Sequence, residues 1–392
     1  MIPRLTAKLL ILSLAFGLGA CGKKESAEPT AAQVEIVRIG SVAPLTGPQA
    51  HLGKDNENGT RMAIDDANAK GVEIGGKKVR LELISEDDGA DPKTATIVAQ
   101  KLVDQGVKGI IGHLNSGTTI PASRIYHDAG IVQISPSATN PKYTEQGFKS
   151  AFRVMTNDVQ QGRVLGEYAV KQLGARKIAI IDDRSAYGQG LADEFEKAAK
   201  AAGAEIVGRE FTTDKSTDFM AILTAVKGKR PDLLFYGGMD AQGGPMIKQF
   251  KTLGLGAKFL MGDGGSTPEF VKLAGGAAEG AYSSLPGVPL DKMPGGKAFA
   301  DRFTAKYGQI QLYAPYCYDA VNVMIAAMQK AGSAEPAKYL PELAKISHDG
   351  VTAKVSFDEK GDITGGAVTL YQVRNGKWEV LETITAAAPA AK

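Results

Sequence analysis

Residues 177–207 read KIAIIDDRSAYGQGLADEFEKAAKAAGAEIV, and the succession of patterns in them decides the fold class. Lys177–Ile181 is one lysine followed by an unbroken apolar run, the mark of a strand covered on both faces. A loop of acids, serine and glycine follows at Asp182–Gly188. Leu191, Phe195, Ala198 and Ala202 then recur at helical spacing, so one face of a helix is apolar. Glu205–Val207 resumes as a strand. Strand, helix and strand in about thirty residues make a crossover unit, which joins parallel strands.

Working outward, the alternation continues in both directions. A helix is expected from Gln160 to Leu173. Downstream, Phe219, Ile222, Leu223 and Val226 fit a second helical stripe. Asp232–Tyr236 and Lys258–Met261 read as strands, with a helix at Pro245–Leu253 between them. Upstream lies an equivalent series. Val37–Leu45, Val79–Ile84, Lys108–Leu114 and Gly130–Ser135 read as strands. Helices are expected at Gly53–Ala69, from Pro92 through Leu102, and at Thr118–Ala129; proline suits a first helical position. Two such series predict an α/β chain of two doubly wound lobes. From about Leu285 come three helical patterns and then strands, which must return to both lobes. The chain then crosses between lobes three times. Val321, Met324, Ile325 and Met328 form one of these stripes, and Cys317 shares it, so its thiol reads as buried core.

The chain has 392 residues, with 46 Lys+Arg against 43 Asp+Glu, which gives no charge-based case for nucleic-acid binding. Hydrophobic residues at 43% and charged residues at 23% describe a folded protein. Two cysteines, Cys21 and Cys317, build no disulfide framework. Arg4 and Lys8 precede an apolar stretch from Leu9 to Ala20, too short to span a bilayer, as in a secretory signal peptide. It ends Leu18-Gly19-Ala20-Cys21, which resembles a bacterial lipobox. That resemblance implies cleavage before Cys21 and lipid on its sulfur. Residues 21–36 read as a flexible tether and 386–392 as a frayed tail.

In open parallel sheets, ligands bind beyond the carboxyl ends of strands, near helix N-termini. That rule selects two hydroxyl-rich loops in the first series, Asn115–Thr119 and Pro136–Asn140. Ser116 there reads as a helix cap that leaves backbone N–H groups free for a carboxylate. In the second series it selects Asp182–Gly188, Gly237–Asp240 and Gly262–Gly265, which offer acids and an aromatic to an ammonium. Each hydroxyl and acid also has an ordinary capping or turn role open to it.

GHLNSGTTIPAS at 112–123, ISPSATNPKYT at 134–144, DDRSAYGQGLA at 182–192 and FYGGMDAQGG at 235–244 are similar to the periplasmic branched-chain amino acid binding proteins. These are the type I solute-binding proteins of ABC importers. SVAPLTGP at 41–48 and FDEKGDITG at 357–365 extend the similarity from about Val37 to the end. The resemblance implies a periplasmic binding protein type I fold with a three-segment hinge. It divides the chain into a first lobe at 37–155 and 287–364 and a second lobe at 156–286 and 365–385. It implies an amino-acid ligand, with Ser116, Ser137 and Thr139 at its carboxylate and ammonium. Tyr187 matches the family's tyrosine of the second lobe. The family's glutamate falls on Gly264, so its role passes to the adjacent Asp263. A family tyrosine is replaced by Met239, beside which Asp240 could contribute. Leu52 stands where an aromatic is usual, and Tyr313 matches an aromatic of the side-chain pocket. Some members carry a disulfide between the loops that here hold Asn115 and Ala90; neither cysteine is present, which leaves packing to stiffen the region of Ser116.

The resemblance further implies an ABC permease as partner, a monomer, membrane attachment through the N-terminal lipid alone, and no cofactor, metal or catalysis. An amide, urea, an aromatic acid or an acidic amino acid is the alternative ligand. An exported enzyme finds no support in the motifs. His51, His113, His127 and His348 have no zinc spacing, and no GxSxG elbow occurs. Gly71–Lys77 matches most of a P-loop, but Lys78 follows and the run precedes a strand, so it reads as a tight turn.

Overall fold

The computed structural model describes residues 34–385. The expected signal peptide, the expected lipidation at Cys21, residues 22–33 of the expected tether and the 386–392 tail lie outside the described residues. Residues 35–385 form one compact unit.

Within it the chain first lays down β1 (Glu35–Ala43), α1 (Ala50–Lys70), β2 (Val72–Ile74), β3 (Lys77–Asp87), α2 (Pro92–Asp104), β4 (Gly109–Gly112), α3 (Ser116–Asp128), β5 (Gln133–Ser135), α4 (Lys142–Glu145) and β6 (Ala151–Arg153). A second series follows: α5 (Asp158–Lys171), β7 (Lys177–Asp182), α6 (Ala186–Ala201), β8 (Glu205–Phe211), α7 (Met220–Gly228), β9 (Leu233–Gly237), α8 (Asp240–Thr252), β10 (Lys258–Met261), α9 (Pro268–Ala274) and β11 (Tyr282–Pro286). Then α10 (Gly296–Tyr307), α11 (Ala314–Ala331), α12 (Pro336–Leu343) and the short pair β12 (His348–Asp349) and β13 (Lys354–Val355) return to the first lobe, where α11 packs along α1. Finally β14 (Ala367–Arg374) and β15 (Lys377–Thr385) join the second sheet.

The sheets have orders β2-β3-β1-β4-β5-β6 and β15-β14-β11-β10-β9-β7-β8. Their interiors are parallel, as the alternation predicts, but each carries antiparallel edges, β2 on the first and β14–β15 on the second. Gly71–Lys77 is no simple turn. Val72–Ile74 pairs with Lys77–Val79 as a hairpin, and Gly75 and Gly76 both take positive φ, 60° and 76°. A two-residue loop of that hand needs glycine, because its twist matches the strands only when both residues are left-handed.

The opening stretch behaves as its pattern demands. In β7 everything after Lys177 is buried. Ser185 caps α6 by accepting the Gly188 N–H at 2.9 Å. Phe195 of α6 stacks on Phe235 of β9 with centroids 4.0 Å apart, which fixes helix to sheet. Truncating such a ring costs about 3–5 kcal/mol. The helix begins at Ala186, before the expected Leu191, because its first turn carries glycines and a cap instead of apolar stripe.

Three segments cross between the lobes, after β6, after β11 and before β14. They are tied together. The Ala367 carbonyl accepts the Gly287 N–H at 2.6 Å and the Thr156 hydroxyl at 3.2 Å. Beside them Arg153 is fully buried and pairs with Asp362 of the third segment. The same guanidinium donates to the carbonyls of Ala138 and Asn140, both at 2.9 Å. One buried cation therefore fixes a crossing segment and the loop that holds Thr139.

Candidate functional site

The strand ends of both lobes face one small cavity of about 10 Å³, roughly the room of one water. Leu114, Asn115, Ser116 and Ser137 line it from the first lobe, with Tyr313 of the returning segment; Tyr187, Met239 and Asp263 line it from the second. At Asn115, Tyr187 and Met239 it meets a wider cleft of about 400 Å³ between the lobes. A groove of about 470 Å³ along α5 and α6 lies elsewhere and is lined mainly by solvent-facing charged side chains.

Asp263 is the centre of this arrangement. It sits in a one-turn helix just after β10 and is 1% exposed. Its Oδ1 accepts the Tyr187 hydroxyl at 2.8 Å and the Gln161 amide at 3.1 Å. Its Oδ2 accepts the Tyr313 hydroxyl at 2.7 Å. Burial pushes the Asp263 carboxyl above its ordinary range, and these three donors pull it back. The Tyr187 hydroxyl also accepts the Gly264 N–H at 2.9 Å. Gly264 has no room for a side chain: a Cβ there would stand 2.8 Å from the Met239 sulfur and 2.9 Å from the Tyr187 ring. The Gly238 carbonyl also lies 2.9 Å from that Cβ, so position 264 has no room for a side chain, and the nearest carboxylate is that of Asp263.

The first lobe presents hydroxyls and backbone. Ser116 is not the cap of α3. Asn115 holds that position, without a side-chain cap bond, and Ser116 is the first helical residue. The Ser116 hydroxyl instead accepts the Asn140 N–H at 3.2 Å, joining the two loops. The Ser137 hydroxyl donates to the Leu114 carbonyl at 3.0 Å. The first N–H groups of α3 have no partner inside their own helix, as at every helix start, and they meet the positive end of its dipole. Thr139 is buried behind the wall, and its hydroxyl makes no hydrogen bond among the described residues. Asp158 of α5 is also fully buried, and neither of its oxygens reaches full hydrogen-bond geometry. Burial pushes Asp158 up to about 8, against a pull from the Thr139 hydroxyl.

Of the expected residues, Ser116, Ser137, Tyr187, Met239, Asp263 and Tyr313 share the cavity. Leu52 does not line it; it is fully buried in the core. Asp240 does not line it either. Its carboxylate accepts the Thr267 hydroxyl at 2.5 Å and bonds His51 of the other lobe at 2.8 Å.

Several supporting residues escaped the sequence reading. Asp55 accepts four backbone N–H groups, from Gln311 through Ala314, at 2.8–3.0 Å, and so sets the segment that carries Tyr313. Gln161 braces Asp263 and Ser284 together. Where relatives of the resembling family have a disulfide, His113 bonds Asp88 at 2.8 Å and Tyr126 at 3.1 Å, with no exposure. Packing alone does not stiffen the Ser116 loop; a buried polar triad does. An aspartate flanked by polar residues, or an isolated histidine, carries no pattern that signals such roles.

The sequence matches the family described as periplasmic binding protein over residues 36–377. It is 38% identical to the Leu/Ile/Val-binding protein homolog 1 of Brucella abortus, over 88% of this chain and 90% of that one. It is 34% identical to the leucine-, isoleucine-, valine-, threonine-, and alanine-binding protein of Pseudomonas aeruginosa, over 86% of this chain and 90% of that one. The structure of the branched-chain amino acid transporter substrate binding protein LivJ from Streptococcus pneumoniae, in complex with isoleucine, superposes with a TM-score of 0.81 at 29% identity, covering 90% of this chain and all of that one.

Proposed function

This chain belongs to the periplasmic binding protein family, and from that premise we propose that it captures aliphatic L-amino acids, leucine, isoleucine and valine foremost, by closing its two lobes on them. The relatives named for those ligands support the class. The observation that carries the reading is Asp263, a buried carboxylate held on three sides by Tyr187, Gln161 and Tyr313 and facing the hydroxyls of Ser116 and Ser137.

An α-amino acid has an ammonium for Asp263 and a carboxylate for the α3 N-terminus and the serines. Met239 and Leu114 give its side chain an apolar wall. Each hydrogen bond to a charged group contributes roughly 1.5–3 kcal/mol. Three or four convergent bonds reach the ~8 kcal/mol of a micromolar complex. The Tyr313–Asp263 and His51–Asp240 bonds already run between lobes, so the cavity admits a ligand only after the lobes part. Binding is then hinge opening, capture on the first lobe and closure, driven by contacts made only when closed. The ligand leaves unchanged, without turnover.

The closed form is what an ABC permease in the inner membrane would recognise. The protein works there as a monomer, exported by the signal at 1–20 and held at a membrane by lipid on Cys21. Ser116, Ser137, Thr139, Tyr187, Met239, Asp263 and Tyr313 serve the ligand. Calorimetric titration of the protein from Glu35 onward, unfolded and refolded to remove carried ligand, tests the reading. Submicromolar binding of leucine, isoleucine or valine, and none of urea, acetamide or benzoate, is expected. Binding confined to an amide or an aromatic acid would sink it.

A further inference from the structure

His51 is the second residue of α1 in the first lobe, and Asp240 is the first residue of α8 in the second. Their bond, 2.8 Å from Nε2 to Oδ2, spans the two lobes, so parting the lobes would break it. Asp240 is fully buried in that state, whereas the His51 side chain keeps 20% of its exposure. The Thr267 hydroxyl shares Oδ2, and among the described residues Oδ1 makes no hydrogen bond and His51 is the one basic side chain paired with this carboxylate. Closure therefore strips water from the Asp240 carboxyl and sets one imidazole against it. Opening returns both groups to water.

We propose that His51 and Asp240 form a proton-linked clasp across the cleft, so that the protein takes up protons as it closes on its ligand and lets go more readily in alkaline medium. The inference rests on the lobe-closure reading above. The groups facing the imidazole are Asp240 on α8, Glu269 on α9 and Asp55 on α1 itself. Burial opposes its charge, but the bond to Asp240 and the three carboxylates outweigh burial, so its pKa lies above the ordinary 6.5. The sign follows. Relative to the open form, the clasp's charge contribution to closure is complete below the ordinary imidazole value and disappears as pH rises through the closed-state value. A charge-assisted hydrogen bond exceeds a neutral one by a factor of about five to ten in an equilibrium constant.

The test is calorimetric titration of leucine into the wild type and His51→Gln at about pH 6, 7 and 8.5, in two buffers of different ionisation enthalpy. Glutamine keeps a donor for Asp240 but cannot titrate. Wild-type affinity should fall about five- to tenfold over that range, and the enthalpy near pH 7 should vary with the buffer in the sense of proton uptake. Both effects should shrink in His51→Gln and in Asp240→Asn. Identical pH profiles and proton counts in wild type and His51→Gln would overturn the clasp. If no ligand binds the wild type, the functional reading fails, and small-angle scattering of the unliganded protein decides the clasp. A radius that grows with pH in the wild type and not in His51→Gln supports it; matching radii refute it.

Discussion

Replacing Asp263 with asparagine separates the proposed ammonium site from everything else the cleft does. A carboxylate offers about four lone-pair directions. Tyr187 and Gln161 take two on Oδ1 and Tyr313 takes one on Oδ2, which leaves one on Oδ2 for an incoming ammonium. Asp263→Asn keeps the shape, removes the charge and points an NH2 at one of its present donors. The ammonium then loses a charge-assisted bond of roughly 1.5–3 kcal/mol, a factor of about 10 to 150 in affinity. The loss should be the same for leucine, isoleucine and valine, since each presents the same ammonium. Fold stability should change little. The mispaired donor costs about 1 kcal/mol, and the mutation also abolishes the burial of a carboxylate that desolvation already pushes upward. Calorimetric titration and thermal melting read the two quantities separately. Leucine binding within about threefold of wild type would refute an ammonium at Asp263. A large drop in melting temperature would instead make Asp263 a structural brace between Tyr187 and Tyr313.

Thr139→Ala tests the proposed ligand role of a hydroxyl that lies buried behind the cavity wall: it should weaken all amino acids alike, by about five- to tenfold, and unchanged titrations would remove that residue from the site. Tyr313→Phe should loosen the closed form, seen as a larger unliganded radius in X-ray scattering, because it deletes the bond to Asp263 across the cleft. His113→Ala should cost about 3 kcal/mol in urea unfolding, since it strands Asp88 and Tyr126 in a site with no exposure. Asp158 has a folded-state value of about 8 against an ordinary 3.8. Its effect on stability is therefore absent below about pH 4 and grows as pH rises through about 8. Melting temperature should fall across that window, and the fall should flatten in Asp158→Asn.

The periodic parts of this molecule were legible because they depend on local pattern. Lys177–Ile181 and Lys258–Met261 are buried on both faces, and their apolar runs say so. The edges were not legible. β11 is YSSLP, and Ser283 and Ser284 are buried only because Gly262, Ser266 and Gln161 accept or donate to them. Nothing in a run of serines distinguishes that strand from a loop. The helices start at Ala50, Ala186 and Asp240, three to five residues before the apolar stripes reveal them, because their first turns carry glycine and polar residues. The same physical cause hid His51 and Asp55. Their partners stand 189 and at least 256 residues away along the chain.

The position of the acid shows how a site survives while its residues move. The resemblance to the family leads to Gly264, and the structure explains why glycine stands there. The Tyr187 ring, the Met239 sulfur and the Gly238 carbonyl fill the volume that a Cβ would need. The Met239 sulfur is one of the atoms that closes position 264 to a side chain. The carboxylate then comes from the preceding residue, through a one-turn helix, Asp263–Gly265. Tyr187 makes that substitution workable: one hydroxyl donates to Asp263 and accepts from the Gly264 N–H, so it fixes both the acid and the turn that carries it. Restoring the acid alone, as Gly264→Glu, should therefore reduce binding instead of improving it. The pair Gly264→Glu with Met239→Ala, which clears the sulfur from the new Cβ, should recover part of the loss. If the single variant binds leucine as well as the wild type does, the packing argument for Asp263 is wrong.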